Sequence, residues 1–190
     1  VAGFGLAGEH RAGGRRGEGE LRGAGFGVGE LGVGRSTLDV DLVAALAGRH
    51  ADLLVERLGA AYYVDADMIR DAVRRRSTFN LIHLATMMKI DVFVLRDRPF
   101  DQAAFARSTP SPLDEHQARV FPLTTAEDII LHKLEWFRMG GGVSERQWQD
   151  VLGVIRVQGP ALDGAYLDCW AAELGVAELL DRARAEAAAP

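Results

Sequence analysis

One stretch limits the folding options of this chain more than any other: Arg35-Ser-Thr-Leu-Asp-Val-Asp-Leu-Val43. Apolar residues alternate with carboxylates at period two, which is the pattern of a strand. Successive side chains point to opposite faces, so Asp39 and Asp41 share one face while Leu38, Val40 and Leu42 share the other. Two carboxylates side by side on a largely apolar strand repel one another and resist desolvation. A divalent cation is the simplest compensation. The rest of the chain is read as what surrounds that pair.

The totals set the limits of that surrounding. With 190 residues, 48% of them hydrophobic and 26% charged, the chain can bury an ordinary core in one domain, or in a small domain with a helical extension. A net charge of -5 argues against a general electrostatic grip on nucleic acid. The single cysteine, Cys169, excludes an internal disulfide framework and a multi-cysteine zinc site, and packing is its expected role. No apolar run approaches membrane-spanning length and the N-terminus lacks the apolar centre of a signal peptide. A cytoplasmic protein without a membrane partner is the expectation.

Residues 1–34 differ from the remainder: they hold most of the glycines, mix arginine with glutamate, and scatter their apolar residues singly. Such a segment has little to bury against the entropy of ordering it, and is expected to be disordered or poorly packed. A glycine-rich phosphate loop near Gly25–Gly34 and a misassigned start are the two alternatives. Ordinary globular patterning begins at Leu38. Leu38–Leu46 reads as a buried strand, His50–Leu58 as a helix, Tyr62–Val64 as a short strand, and Asp65 or Asp67 as the cap of a helix to about Arg75. Phe79–Leu84 and Ile90–Leu95 read as antiparallel neighbours. Residues 96–122, with four of the six prolines, read as a loop-rich connection with a short helix near Gln102–Arg107.

Helices dominate the chain from residue 123 onward. Thr125-x-x-Asp128 and Ser144-x-x-Gln147 resemble capping boxes, Gly140-Gly-Gly142 and Gly159-Pro160 are stop signals, and two more helices occupy about Asp163–Leu174 and Val176–Ala187. The expected fold is therefore α+β: a small mixed sheet with flanking helices over 35–122, followed by a helical C-terminal half over 123–190 packed on it.

An Asp-x-Asp pair by itself is common on strands and turns. A second acid in a similar setting gives it meaning: Asp91 interrupts the apolar strand Lys89-Ile-Asp-Val-Phe-Val94. It is either an edge-strand acid facing water or paired with Lys89 or an arginine, or it lies beside Asp39 and Asp41 across a shared sheet. Three converging acids would hold two Mg²⁺ ions, the arrangement that clamps the attacking and leaving oxygens of phosphoryl transfer.

The run Arg35-Ser-Thr-Leu-Asp-Val-Asp-Leu42, with the later Lys89-Ile-Asp-Val-Phe93, resembles the nucleotidyltransferase superfamily of DNA polymerase beta, in particular small bacterial members related to the AbiEii-type toxins. The likeness continues through Ala126-Glu-Asp-Ile-Ile-Leu-His-Lys-Leu-Glu-Trp136 and Ser144-Glu-Arg-Gln-Trp-Gln-Asp150, where related proteins carry a lysine and, on the next helix, Arg-x-x-x-Asp. It covers about Arg35–Val157. It implies metal-dependent transfer of a nucleoside monophosphate from an NTP to an acceptor hydroxyl on tRNA or protein, with a cognate antitoxin as a further partner. Metal binding would fall on Asp39 and Asp41, and third-ligand or base duty on Asp91. Lys133 would contact phosphate, and Arg146 with Asp150 would form part of the active-site wall. Arg35 and Ser36, just ahead of the acids, join the candidate nucleotide-binding residues.

The residues themselves permit plainer roles. Lys133 borders the apolar line of Ile130, Leu134 and Phe137, so it can either reach a cleft or snorkel at the surface. Arg146 and Asp150 are one turn apart and can form a structural ion pair. One departure from the family pattern is clear. Gly-Ser or Gly-Gly is expected about ten residues before the first acid, at a helix N-terminus that binds triphosphate. Here the stretch is Gly25-Phe-Gly-Val-Gly-Glu-Leu-Gly-Val-Gly34, with an unfavourable Glu30 and no recognisable strand ahead of it. This supports a second expectation, a degenerate member acting as a binding or regulatory partner. A third is RNA binding through Arg74-Arg-Arg76, a run that more often forms a solvated helix end. His83, His116 and His132 lack zinc-type spacing, and Trp136, Trp148 and Trp170 are expected in the core.

Overall fold

A computed structural model describes residues 23–26, 40–112 and 120–189, with 23–26 and 111–112 described by backbone alone. The described chain is α+β, a mixed sheet flanked by helices. Its elements run β1 (Gly23–Phe26), β2 (Val40–Ala44), α1 (His50–Leu58), β3 (Tyr62–Tyr63), α2 (Ala66–Arg75), β4 (Thr78–His83), β5 (Lys89–Val94) and α3 (Pro99–Arg107). Then come β6 (Thr109–Pro112), β7 (Val120–Leu123), α4 (Ala126–Met139), α5 (Glu145–Gln158), a single 3₁₀ turn (Gly159–Ala161), α6 (Gly164–Leu174) and α7 (Ala177–Ala188). No helix among the described residues is long and apolar enough to cross a membrane.

The strands form one sheet in the order β3-β4-β5-β2-β1-β7-β6. Only β5–β2 and β1–β7 are parallel; the other pairs are antiparallel. Three strands lie outside expectation. Gly23–Phe26 pairs with both β2 and β7, although glycine at every other position from Gly23 to Gly29 disfavours a strand. Its place comes from the neighbours, which satisfy its backbone groups on both sides. Likewise β6 and β7 form an antiparallel pair inside the segment read as loop; Pro110 and Pro112 sit on the edge strand β6, Pro122 opposite Pro110 on β7, and Pro99 opens α3.

Helix boundaries follow their chemical signals closely. The Asp65 side chain accepts from the Met68 amide at 2.7 Å and opens α2, while Ser144 accepts from Gln147 and Asp163 from Tyr166 to open α5 and α6. At α4 the expected reciprocal box is modified. Thr125 Oγ1 accepts from the Asp128 amide and donates to Asp128 Oδ2 at 2.8 Å, so the shorter acid binds the hydroxyl. Two successive left-handed glycines, Gly141 and Gly142, make the turn between α4 and α5 that a Cβ would strain.

Alternation along β4 and β5 sends Phe79, Leu81, Ile90, Val92 and Val94 to one face of the sheet. They pack there with Leu54 and Leu58 of α1 and Ile69 of α2. A second core lies among α4–α7, where Ile130, Leu134, Trp148, Val151 and Leu180 are almost fully buried, with Phe100 and Ala104 added from α3. Cys169 does not join it: the thiol is on an exposed face of α6. Trp170 is partly buried, and Trp136 turns from α4 to stack on Phe93 of β5, ring centroids 5.7 Å apart.

A buried ionic clamp ties the strand-bearing part to α4. Arg98 donates to Asp101 at 2.5 and 3.0 Å and to Glu135 at 2.6 and 3.0 Å, a paired fork on each carboxylate. Arg98 itself is 38% exposed, whereas the Asp101 and Glu135 side chains are only 8% and 4% exposed. Hydrogen bonding to Arg98 holds the Glu135 carboxyl below its usual 4.5, against the opposing effect of burial. A depressed carboxyl stabilises the fold above its unfolded value and loses that contribution as pH falls through the folded one. Arg98→Met is therefore expected to cost about 2–3 kcal/mol at pH 7, the lower range because the guanidinium is partly hydrated. Urea unfolding at pH 7 and at pH 3.5 to 4 checks this: the deficit of the variant shrinks at the acidic end.

Candidate functional site

The parallel pairing of β2 with β5 runs Val40↔Ile90, Asp41↔Asp91, Leu42↔Val92, Val43↔Phe93 and Ala44↔Val94. The even rows feed the core under α1 and α2. The odd rows face the other side, so Asp41 and Asp91 stand next to each other on one face. Neighbouring strands lie about 4.8 Å apart, a separation that two carboxylates can bridge through one cation at about 2.1 Å from each oxygen. On the far side of β5, Asn80 of β4 is in register with Asp91, and β1 brings Phe26 into register with Asp41. Asp91 therefore lies in a central strand, not at an edge.

Compensation of these charges begins within the strand itself. Lys89, two residues before Asp91 and on its face, donates from Nζ to Asp91 Oδ2 at 2.9 Å. The Asp91 side chain is 20% exposed and that of Lys89 46%, so the pair sits at a surface and contributes modestly. Asp91 thus pairs with Lys89 and stands in register with Asp41, while its expected neighbour Asp39 lies outside the described residues.

The next row toward the strand ends is aromatic. Phe93 carries the stacked Trp136, and Val43, Thr78, His132 and Phe105 complete the walls of a cavity of about 50 Å³, room for a few waters. His132 also meets Phe100, ring centroids 4.8 Å apart. Burial lowers its pKa to about 4, opposed by Asp101 and Glu135 and assisted by Arg98 and Arg96.

The remaining candidates separate into groups. Lys133 of α4 donates to Asp150 of α5 at 2.8 Å, the two side chains being 14% and 10% exposed. Asp150 is thus engaged across the helix pair by Lys133, and Arg146 is exposed and makes no ion pair with it. A one-turn pair with arginine first has the weaker orientation, and the interhelical lysine comes from the buried side. Arg35, Ser36 and Asp39 lie outside the described residues, as does the Gly27–Gly34 part of the glycine-rich stretch. The described residues contain no group of three or more His, Cys, Asp or Glu side chains placed to hold a metal ion.

The chain matches no protein-family model and no curated protein sequence. Its chemistry is accordingly read from the sheet face alone. That face offers hard oxygen donors from two strands, an amide at the third, and an ammonium beside them. Such a donor set suits Mg²⁺, which keeps several waters and binds protein through one or two carboxylates.

The arginine run on α2 does not make a free basic patch. Arg74 and Arg75 pair with Asp71 at 2.6 and 3.0 Å, Arg76 with Asp97 at 3.0 Å, and Arg70 with Asp52 and Asp67. Sequence reading missed Asn80 and the Phe93–Trp136 stack. The alternation in Phe79-Asn-Leu-Ile82 carried the signal for the first, and nothing local announces the second.

His132 gives this site a testable acid limb. Between pH 6.5 and pH 4 the unfolded chain takes up a proton that the folded ring refuses, so stability falls as pH drops. From pH 6.5 to pH 5 the expected loss from this group is about 1–2 kcal/mol. His132→Phe, measured by urea unfolding at both pH values, is expected to remove that part of the slope; an unchanged slope would refute the assignment.

Proposed function

We propose that the chain is a metal-dependent nucleotidyltransferase, moving a nucleoside monophosphate from an NTP to an acceptor hydroxyl with release of pyrophosphate. The observation that carries this reading is the register of Asp41 with Asp91 on adjacent parallel strands, on the sheet face away from the α1–α2 core. Few arrangements other than ion binding favour adjacent carboxylates on a sheet, where directly opposed like charges are destabilising. The nucleotidyltransferase-like fold and the toxin-like biology, with tRNA or protein as acceptor and an antitoxin as partner, come from the sequence resemblance.

Asp41 and Asp91 would hold Mg²⁺, with Asp39 completing the set for a second ion. The metal would neutralise phosphate charge and line up the attacking and leaving oxygens. Asp91 is also the acid positioned to accept the proton of the acceptor hydroxyl, since Lys89 engages only one of its oxygens in the pair described. Lys133 has three N–H donors and gives one to Asp150, leaving others for a phosphate oxygen. Arg146, exposed and without an ion pair among the described residues, is suited to an anionic group at the rim. Arg35 and Ser36 would serve the triphosphate.

A second reading has its own observation. The Lys89 ammonium already supplies a positive charge at Asp91, which is what a family member that has lost its metal would need. Such a protein would act as a binding or regulatory partner.

Incubation with labelled NTPs, Mg²⁺ and a cell extract separates the two. The wild type is expected to transfer label, and Asp41→Ala or Asp91→Ala to lose roughly 100-fold or more of it. Label transferred equally by wild type and variants, or by neither, removes the enzymatic reading.

A further inference from the structure

Lysine is by far the scarcer basic residue: of the 22 Lys and Arg side chains only two, Lys89 and Lys133, are lysines. Both are paired with an aspartate, Lys89 with Asp91 and Lys133 with Asp150. Every other ion pair among the described residues, at Asp71, Asp97 and Glu135 for example, is made by an arginine. A guanidinium grips both oxygens of a carboxylate with a planar fork, as Arg98 grips Glu135, and makes the better permanent partner. An ammonium is a compact charge on a flexible stem that makes single contacts and can pass from one acceptor to another.

The two lysines are not equivalent. Lys133 spans two packed helices and is mostly buried with its aspartate. Lys89 is exposed, and its Nζ reaches Asp91 Oδ2 at 2.9 Å from two residues away on the same face of β5. Because β5 lies between β4 and β2, this lysine is not guarding a sheet edge against unwanted pairing. Its neighbours in register, Ile82 on β4 and then Tyr63 on β3, carry no charge, and Tyr63 is itself exposed. An outward swing of the Lys89 stem therefore leads to water and away from Asp91.

That freedom has a use beside the acid row. A divalent cation on Asp91 and an ammonium on the same carboxylate would stand about 4–5 Å apart and repel one another. The repulsion is relieved when Lys89 turns outward. A metal-bound nucleotide brings phosphate oxygens to this same face, and an ammonium that has left Asp91 finds in them a stronger anionic partner.

We propose that Lys89 is an exchangeable countercation: it neutralises Asp91, releases it when a divalent cation joins Asp41 and Asp91, and then holds a phosphate of the incoming NTP. This rests on the metal-dependent reading above and adds to it a phosphate-binding residue that also sets metal affinity. A lysine serving as a permanent substitute for the metal would stay on Asp91 throughout.

Manganese(II) titration of the full chain, followed by electron paramagnetic resonance of the unbound ion, tests this together with NMR of protein carrying labelled lysine. Two lysine side-chain signals are expected, and loss of one in a Lys89 variant assigns them. In the wild type, Mg²⁺ alone is expected to move the Lys89 signal and leave Lys133 in place. Adding an α,β-methylene NTP analogue, which cannot be cleaved, is expected to move Lys89 again. Lys89→Met is expected to bind Mn²⁺ about tenfold more tightly and the Mg²⁺–analogue complex about tenfold more weakly. Lys89→Arg keeps the charge but forks both oxygens of Asp91, so Mn²⁺ is expected to bind it about tenfold less tightly, which charge alone does not explain. Both changes lie on the face away from the α1–α2 core, and a native spectrum confirms that each variant is folded. No Mn²⁺ binding by the wild type removes the metal-dependent reading and the exchange with it. Equal Mn²⁺ binding by wild type and both variants, with an unmoved Lys89 signal, leaves the metal site standing and overturns the exchange.

Discussion

The pairing of β2 with β5 is the constraint on which the other features depend. Parallel strands cannot be joined by a tight turn, so the chain must travel between them, and α1, β3, α2 and β4 fill that path. The two helices among them, α1 and α2, then cover one face and leave the other for α4. The register is equally consequential. A slip of β5 by one residue would turn Asp91 into the core and bring Ile90 and Val92 out to the opposite face. Burial of the apolar rows therefore enforces the juxtaposition of the acids, and folding itself supplies the free energy that holds two like charges together.

The second face is built from fewer contacts of higher specificity. Trp136 on Phe93 and the Arg98 clamp on Asp101 and Glu135 connect the sheet to the helical core. The clamp has the features that make buried ion pairs decisive in one direction. Assembling it offers little net stability, whereas removing the arginine strands two desolvated carboxylates. Lys133 and Asp150 repeat the arrangement between α4 and α5. Ionic contacts at these joints fix the relative placement of elements that apolar packing alone would leave interchangeable.

Most of this organisation is legible in the chain because its signals are local. Asp65, Thr125, Ser144 and Asp163 cap the helices they precede, and the alternation in Lys89–Val94 declares a strand with Asp91 outward. What sequence alone does not disclose is contributed by partners distant in the chain. Gly23–Phe26 is half glycine, a composition that disfavours strands, and becomes one through β2 and β7. Asp150 has an arginine one turn before it, yet its lysine comes from 17 residues away. The acid pair lies between these cases: alternation predicts the face of each residue, and only the sheet order makes Asp41 and Asp91 neighbours.

Manganese(II) prefers the same hard oxygen donors as Mg²⁺ and broadens the amide signals of nuclei close to it. Adding it in substoichiometric amounts to isotopically labelled protein, and reading intensities residue by residue, addresses the shared-cation claim at its source. The account predicts that the amides of Asp41 and Asp91 fade together, with Asn80 following, while signals in α6 and α7 persist. Fading confined to one of the two acids, or a uniform slight loss over the whole spectrum, would contradict it.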